Sequence, residues 1–230
     1  MLLGASDSPR NQPRSVPSNG IFFLFEKHNT MNCDFSYLEG TDCYCSPQSA
    51  ALIRQAISSL NLNDVHHLGT GDYHYVSLFW LEQIEEPFCL LLVDNHPDNQ
   101  ASAFGNILSC GSWIIDASTL SHFKSLMWID GNGFVHGKLD KDYPVYLSVD
   151  LDALSTDYAR TNWSQGSLSL PRLMEILDKE LTGRKLLGAD ICGGLKNNSC
   201  TLSCDCELNH RTASIIESRI LQLLHSNPRQ

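Results

Sequence analysis

The sequence lacks any long run of apolar residues. No stretch approaches the ~18 consecutive apolar residues that a transmembrane helix needs. The first twenty residues lack the basic and apolar segments of a secretory signal, so we expect a soluble protein. The chain also contains no internal repeat and no second composition regime, which favours one domain over two.

Basic residues are scarce. The 230 residues include 16 Lys and Arg against 26 Asp and Glu, which gives a formal net charge of −10. A nucleic-acid backbone or an anionic membrane attracts proteins with the opposite charge balance. Neither is therefore expected as a partner.

A disulfide framework is not expected either. The nine cysteines are odd in number and scattered along a chain long enough to fold without cross-links. This usage predicts a reducing, cytoplasmic setting.

Predicted strands and helices alternate along the chain, which indicates the α/β class. Three layers are expected, with a mostly parallel central sheet covered on both faces. Residues 1–20, rich in Ser, Pro, Asn and Arg, are predicted to be a flexible arm, and residues 21–230 a single domain. The predicted strands are 21–25, 65–68, 88–93, 112–115, 126–129, 145–149 and 185–191, and the predicted helices are 46–60, 75–85, 170–181 and 208–224.

Ionisable side chains follow one of the most apolar strands. Asp94, His96 and Asp98 come directly after residues 88–93, and Pro97 favours an extended chain at His96. Because side chains two positions apart point the same way along an extended chain, we expect these three to converge. They lie beyond the carboxyl end of a strand, where open parallel sheets bind ligands.

A second acidic pair follows the strand over 145–149. Asp150 and Asp152 are again two positions apart, and His74 follows a glycine-rich turn. Four carboxylates close together would repel one another strongly unless cations neutralised them. Oxygen-rich ligation with some imidazole suits manganese better than zinc, and six donors are about what two ions need.

Three motifs together resemble those of the ureohydrolase superfamily, which comprises arginases, agmatinases and formiminoglutamases. The motifs are GDYHYVS, VDNHPDN and LSVDLDAL, in this order. The resemblance covers about residues 65–195 and identifies the chain as a short, divergent, arginase-like member. It implies the three-layer α/β/α fold of that family.

The resemblance also implies a centre of two Mn²⁺ ions, with zinc, iron and nickel as alternative ions. By position, Asp94 and Asp150 match carboxylates that bridge both ions, and Asp98 matches the catalytic carboxylate that contacts the attacking, metal-bridging hydroxide. The matched ligands are His74, Asp94, His96, Asp98, Asp150 and Asp152.

Other positions depart from the family pattern. Asp190 matches an aspartate on a late strand, but Gly193 stands where arginases carry the glutamate that holds the guanidinium group. The family's proton-shuttle histidine has no clear match, and His122 and His136 are candidates by order alone. Asp190 is a candidate for substrate binding.

Two further segments have alternative interpretations. Trp163 and Gln165 are candidates for lining the substrate pocket, or else belong to a loop that leads into a helix. The cysteines between 200 and 206, with His210, could form a zinc site, although their spacing lacks the usual C-x-x-C. Buried or helix-capping thiols are the alternative.

The sequence therefore predicts a dinuclear manganese hydrolase acting on a non-peptide C–N bond of a small molecule. The bond would belong to a guanidino, formimino or amide group. Two alternatives stay open: a mononuclear zinc enzyme like the deacetylases, which share the fold, and a metal-binding regulatory protein without catalysis. The expected partner is the substrate, and an oligomer is compatible with the sequence.

Overall fold

The computed structural model of the protein describes residues 31–102, 105, 107–196 and 203–226. The strands are β1 (Met31–Asn32), β2 (Tyr44–Cys45), β3 (Val65–His67), β4 (Phe88–Val93), β5 (Leu108–Ser109), β6 (Phe123–Ile129), β7 (Val135–Gly137), β8 (Val145–Asp150) and β9 (Leu186–Cys192). The helices are α1 (Pro47–Ile57), α2 (Val76–Leu81), α3 (Trp113–Ala117), α4 (Leu170–Leu181) and α5 (Ser203–Ser226).

A mostly parallel sheet forms the centre of the fold. Its strand order is β1-β3-β9-β8-β4-β6-β7, and β7 alone among these runs antiparallel to its neighbour. Strands β2 and β5 form a separate antiparallel pair. The sequence-based prediction of a mostly parallel sheet is confirmed.

The sheet is buried on both faces, which explains its continuous apolar strands. In β4, Leu91 and Val93 belong to a core that includes residues of α4 and α5. Leu90 and Leu92 point the other way, into a core that includes residues of α1, α2 and α3. Alternate side chains of one strand thus serve two layers of helices, and the α/β/α architecture is confirmed.

Two helices begin where their caps predict. The hydroxyl of Ser46 accepts a hydrogen bond from the backbone N–H of Ser49 at 3.2 Å, ahead of Pro47. Ser169 accepts one from the N–H of Arg172 at 3.3 Å in the same way. In both cases a serine satisfies an N–H of the first turn that has no partner within the helix.

The prediction of a strand over 112–115 is wrong, because this segment belongs to α3. Trp113 and Ile114 are buried while Ile115 is 40% exposed, a pattern that a short helix on the surface of the sheet satisfies. The helix predicted over 75–85 is shorter, ending at Leu81. The strand predicted over 21–25 and the arm over 1–20 lie outside the described residues.

None of the helices in the described part of the chain combines the length and the apolar character that a membrane span requires.

The centre of the sheet brings two acidic strand ends together. Strands β4 and β8 are neighbours, with Val93 in register with Val149. Both strands run in the same direction, so Asp94 and Asp150 emerge side by side at the carboxyl edge. This is the edge at which parallel sheets bind ligands.

Candidate metal centre

The segment after β4 is folded by its own hydrogen bonds. Oδ1 of Asp94 accepts from the backbone N–H of His96 at 2.6 Å. Asp98 has a left-handed φ of 44°, a conformation that aspartate tolerates better than most residues. The path is therefore not the extended one that the sequence suggested, and a turn at Asp98 returns its carboxylate toward Asp94.

The segment after β8 is tied to the first one. Residues Leu151–Ala153 form a 3₁₀ turn in which Oδ1 of Asp150 accepts from the N–H of Asp152 at 2.8 Å. Oδ1 of Asp152 accepts from the N–H of Asn95 at 3.1 Å. Both acidic loops thus hold each other in place through backbone donors.

Two histidines complete the cluster from opposite sides. Nδ1 of His74 lies 3.0 Å from Oδ2 of Asp94 and 3.0 Å from Oδ2 of Asp98. Nδ1 of His96 lies 2.9 Å from Oδ2 of Asp152 and 3.5 Å from Oδ1 of Asp94. Each carboxylate oxygen of Asp94 therefore faces a different histidine.

The donor atoms fall into groups of a size that suits single ions. His74, Asp94 and Asp98 form one group, and Asp94, His96 and Asp152 form another, with ligand atoms within 4.8 Å of one another in each. The two groups share Asp94. Asp150 adjoins the first group, with Oδ2 at 3.7 Å from Nδ1 of His74.

The buried cluster contains four carboxyl groups and only two histidines, so its carboxylates lack enough positive charge to balance them. Burial, together with the neighbouring Asp152 and Asp94, raises the pKa of Asp150 to about 8. Burial alone would lower the pKa of His74, but Cys192, Asp94 and Asp98 beside it raise that pKa well above its usual value.

His96 responds to its carboxylates in the same way. Hydrogen bonds to Asp152 and Asp94 raise the pKa of His96 to about 10. Without a metal, protons on the histidines and on Asp150 balance the buried carboxylates. Divalent ions would replace those protons at the same donor atoms, so the residues present fit a pair of ions.

A second row of side chains orients His74. The hydroxyl of Ser148 donates to Oδ1 of Asp190 at 2.7 Å and lies 2.9 Å from Nε2 of His74. Because Ser148 gives its proton to Asp190, its oxygen accepts from Nε2–H of His74, which points Nδ1 at the acidic cluster. Such outer partners fix the tautomer of metal-binding histidines.

Trp113 restrains the carboxylate of Asp98. Its indole Nε1–H donates to Oδ2 of Asp98 at 2.7 Å, and its ring lies 5.0 Å from the ring of His74. Helix α3, whose sequence had predicted a strand, therefore places this indole beside the cluster.

A cavity of about 250 Å³ opens over the cluster. Among the described residues that line it, the charged or titratable acids and imidazoles all belong to the six predicted ligands. The remaining side chains of the wall are small, polar or aromatic: Cys43, Tyr44, Gln100, Ala101, Ser102, Ser109, Cys110 and Trp163.

Trp163 is pinned at the mouth of this cavity by Asp72. Nε1 of Trp163 donates to Oδ1 of Asp72 at 3.0 Å, and Cys43 Sγ contacts the same oxygen at 3.1 Å. Nζ of Lys196 pairs with Oδ2 of Asp72 at 2.8 Å and with Asp42 at 2.9 Å. Because a lysine already neutralises these acids, we do not assign them a metal.

Two of the proposed substrate-binding residues are placed elsewhere. Asp190 is fully buried behind Ser148 and does not line the cavity, because its strand position directs it under His74. Gln165 donates from Nε2 to the carbonyls of Leu154 and Ala159 and so braces its own loop. Trp163, by contrast, lines the cavity.

Neither candidate for the proton shuttle reaches the cavity. The carbonyl of His122 accepts from the N–H of Phe88, at the end of β4 opposite to Asp94. His136 lies on β7, where its Nε2 is 2.8 Å from Oδ2 of Asp130. Order along the chain does not determine distance in the fold, and the structure places both histidines away from the cavity.

Cys192 is the neighbour of the centre that the sequence did not reveal. It ends β9 in register with Asp150, and its Sγ lies 3.1 Å from Oδ2 of that residue. The signal was available in principle, since Cys192 follows Asp190 by two residues on one strand and so shares its side. It could be found only once β9 was placed beside β8.

The cysteine-rich segment does not supply a zinc site in the described residues. Cys206 is disulfide-bonded, so its sulfur is not a thiolate ligand. Cys200 lies outside the described residues.

Comparison with known proteins identifies the fold. No protein-family model matches the chain. An uncharacterised protein from Thermotoga maritima is 36% identical over 143 residues, which cover 56% of this chain and 57% of that relative. The match therefore spans little more than half the length of the relative.

Solved structures with the same fold are hydrolases of C–N bonds or resemble them. Formimidoylglutamase from Bacillus subtilis aligns with a TM-score of 0.60 at 15% identity, over 79% of this chain and 69% of the other. Arginase from Medicago truncatula aligns with a TM-score of 0.59 at 14% identity, over 77% of this chain and 66% of the other. A Mn²⁺-bound triple mutant of the T. brucei arginase-like protein aligns with a TM-score of 0.52 at 16% identity, over 85% of this chain and 72% of the other.

Proposed function

From the ureohydrolase fold that the chain adopts, at low sequence identity to the proteins that share it, we propose that it is a dinuclear, metal-dependent hydrolase. Its substrate would be a small molecule with a non-peptide C–N bond in a guanidino, formimino or amide group. A single observation carries the proposal: one oxygen of Asp94 faces His74 and the other faces His96. His74 has Asp98 as a further carboxylate beside it, and His96 has Asp152. One ion does not need this arrangement, whereas two do.

The proposed donors divide between the ions as the distances suggest. His74 and Asp98 would bind one ion, and His96 and Asp152 the other. Asp94, and Asp150 beside it, would bridge them. Manganese is the proposed ion, because this donor set is dominated by carboxylate oxygen.

Divalent ions at these donors would lower the pKa of water and offset negative charge that develops on the substrate. The protein's own groups then determine where the reaction takes place. Asp98 lines the cavity with one oxygen held by Trp113, so it is the carboxylate proposed to take a proton from the attacking water. Trp163, which Asp72 holds by a hydrogen bond, lines the cavity beside them.

The cavity wall favours a substrate of modest size and charge. In the described lining, the acids and imidazoles are all proposed ligands, so a cationic group would have no separate carboxylate to pair with. A neutral amide fits this wall better than the cationic guanidinium of arginine does. The proposed setting is cytoplasmic, since the described cysteines other than Cys206 are free thiols.

Metal analysis combined with steady-state hydrolysis tests the proposal. Protein loaded with manganese should contain close to two equivalents and should release amine or ammonia from a small amide or amidine, whereas the metal-free protein should not. A ratio near one with tightly bound zinc would favour the mononuclear deacetylase-like alternative. Two bound ions without turnover of any small amide or amidine would favour a metal-binding regulatory protein.

A further inference from the structure

The cysteine at the end of β9 adjoins the donor set of the first ion. Cys192 is 1% exposed and in register with Asp150, so both side chains leave neighbouring strands on the same side. Its Sγ lies 3.1 Å from Oδ2 of Asp150. That oxygen lies 3.7 Å from Nδ1 of His74.

The 3.1 Å contact is a hydrogen bond that the Cys192 thiol donates to Asp150, whereas the 3.7 Å separation of Asp150 and His74 is that of ligands to a common ion. Ligands at about 2.0–2.3 Å from one ion, at a tetrahedral angle, lie roughly 3.3–3.8 Å from each other. The ligand atoms of His74, Asp150 and Cys192 all lie within 4.8 Å of one another, and all three residues are buried. The cluster thus has the size and the donor types of a mixed nitrogen, oxygen and sulfur site.

We propose that Cys192 is a thiolate ligand of the ion that His74 binds. The proposal rests on the metal centre proposed above and names its metal preference. When the ion binds, the Cys192 thiol releases its proton to solvent and a sulfur–metal bond forms, with no change of oxidation state.

A thiolate changes which ions this position selects. Sulfur ligands favour zinc, and late first-row ions generally, over manganese. The second position, which would be formed by His96, Asp94 and Asp152, has no sulfur ligand. The two positions would therefore differ in preference. The first would hold zinc, iron or cobalt more tightly than manganese, and the second would stay permissive for manganese.

Cobalt substitution tests this independently of any enzymatic activity. Thiolate bound to Co²⁺ gives a charge-transfer absorption band in the near ultraviolet, while oxygen and nitrogen ligands give only the weak visible bands. The Co²⁺-loaded protein should show both. Cys192→Ser should lose the near-ultraviolet band and keep visible bands, because the other donors remain.

Cys89→Ser is the matched control. Cys89 is similarly buried on another strand of the same sheet, but its sulfur contacts the carbonyl of Asp140 and the hydroxyl of Ser125 instead of the centre. This variant should keep the charge-transfer band. Zinc affinity should fall by at least about tenfold in Cys192→Ser, the lower end of what the loss of even an outer partner costs, while manganese affinity should change less.

The outcomes separate the two proposals. Visible cobalt bands without a charge-transfer band in the unmodified protein would overturn the role of Cys192 and leave the metal centre intact. A charge-transfer band that survives in Cys192→Ser and in Cys192→Ala would also overturn it. Absence of any cobalt binding would overturn both proposals. If neither variant folds, the spectrum of the unmodified protein still decides, because a missing band refutes the ligand.

Discussion

A Cβ atom on Gly193 would collide with Oδ1 of Asp150. The backbone of Gly193 has a φ of +91° and passes so close to the centre that the same Cβ would also lie 2.7 Å from the backbone nitrogen of Leu151. The position that carries a glutamate in arginases is therefore closed to any side chain here. Its glycine is a packing requirement of the metal centre.

Gly193→Ala should displace Asp150 and weaken metal binding. Strain at a left-handed φ should cost about 1–2 kcal/mol of stability, and the collision should add to it. Gly183→Ala is the matched control, because Gly183 has a φ of +79° with no atom within 4 Å of the added Cβ. Thermal unfolding should register a loss in both variants, and metal titration a loss in Gly193→Ala alone. Equal metal affinity in the two variants would refute this reading.

Arginine should be a poor substrate. A guanidinium without a carboxylate partner loses a charge-assisted, bidentate pair, and Gly193 cannot supply one. With manganese-loaded protein, the specificity constants of arginine, agmatine, guanidinobutyrate, formiminoglutamate and simple acyl-amines should be compared. We expect arginine to rank below the smaller amides and amidines. The highest constant for arginine would mean that another residue holds the guanidinium.

Loss of Asp94 and loss of His96 should differ in metal stoichiometry. Asp94→Ala removes a carboxylate that faces both histidines, so elemental analysis should find neither ion at full occupancy. His96→Ala should leave close to one equivalent. His136→Ala, which removes an exposed histidine paired with Asp130, should leave close to two. Identical losses in the first two variants would contradict the bridging role of Asp94.

Ser148→Ala should weaken the first ion without removing a ligand. The substitution removes one donor from the buried Asp190 carboxylate and leaves Nε2 of His74 without the Ser148 hydroxyl as its acceptor. A stability loss of about 1–3 kcal/mol is expected, with roughly 10–100-fold weaker metal binding. Thr212→Val removes another buried hydroxyl, bound to the Tyr158 carbonyl, and should leave metal affinity unchanged. Unfolding curves and metal titrations of both variants provide the comparison.

The metal-free protein should lose stability as the pH rises. The pKa of Asp150 is raised from 3.8 to about 8, so between these values the folded state binds more protons than the unfolded state and unfolding becomes easier with pH. His96, with its pKa raised from 6.5 to about 10, acts in the same direction. Its contribution is complete below pH 6.5 and is lost toward pH 10.

Urea unfolding of the metal-free protein near pH 5 and near pH 9, between which Asp150 and His96 lose most of their extra protons, measures the effect. The midpoint should be lower at the alkaline end, and bound divalent ions should remove most of the difference by replacing the protons. A metal-free protein more stable near pH 9 would contradict the charge balance described for Asp150 and His96.

The sequence predicted those features that depend on local pattern. The strand over 88–93 matched β4 because six consecutive apolar residues require burial on both sides. The caps at Ser46 and Ser169 set the starts of α1 and α4. The six candidate ligands follow strand ends or a turn, so parallel strands were enough to bring them together.

Features that depend on pairing between distant strands were not predictable. The register of β9 against β8 decides that Cys192 meets Asp150 and that Asp190 lies under Ser148. Likewise, nothing local distinguishes Trp113 in a helix from Trp113 in a strand. Its indole N–H donates a hydrogen bond to Asp98, fifteen residues earlier in the chain.

The pairing of β4 with β8 also constrains how the site forms during folding. Asp94 and Asp150 belong to segments far apart in the chain, and they meet only when β8 pairs with β4. Closing so long a loop must precede any contact that rewards it. An ion shared by Asp94 and Asp150, as proposed, can therefore bind only once β4 and β8 have paired.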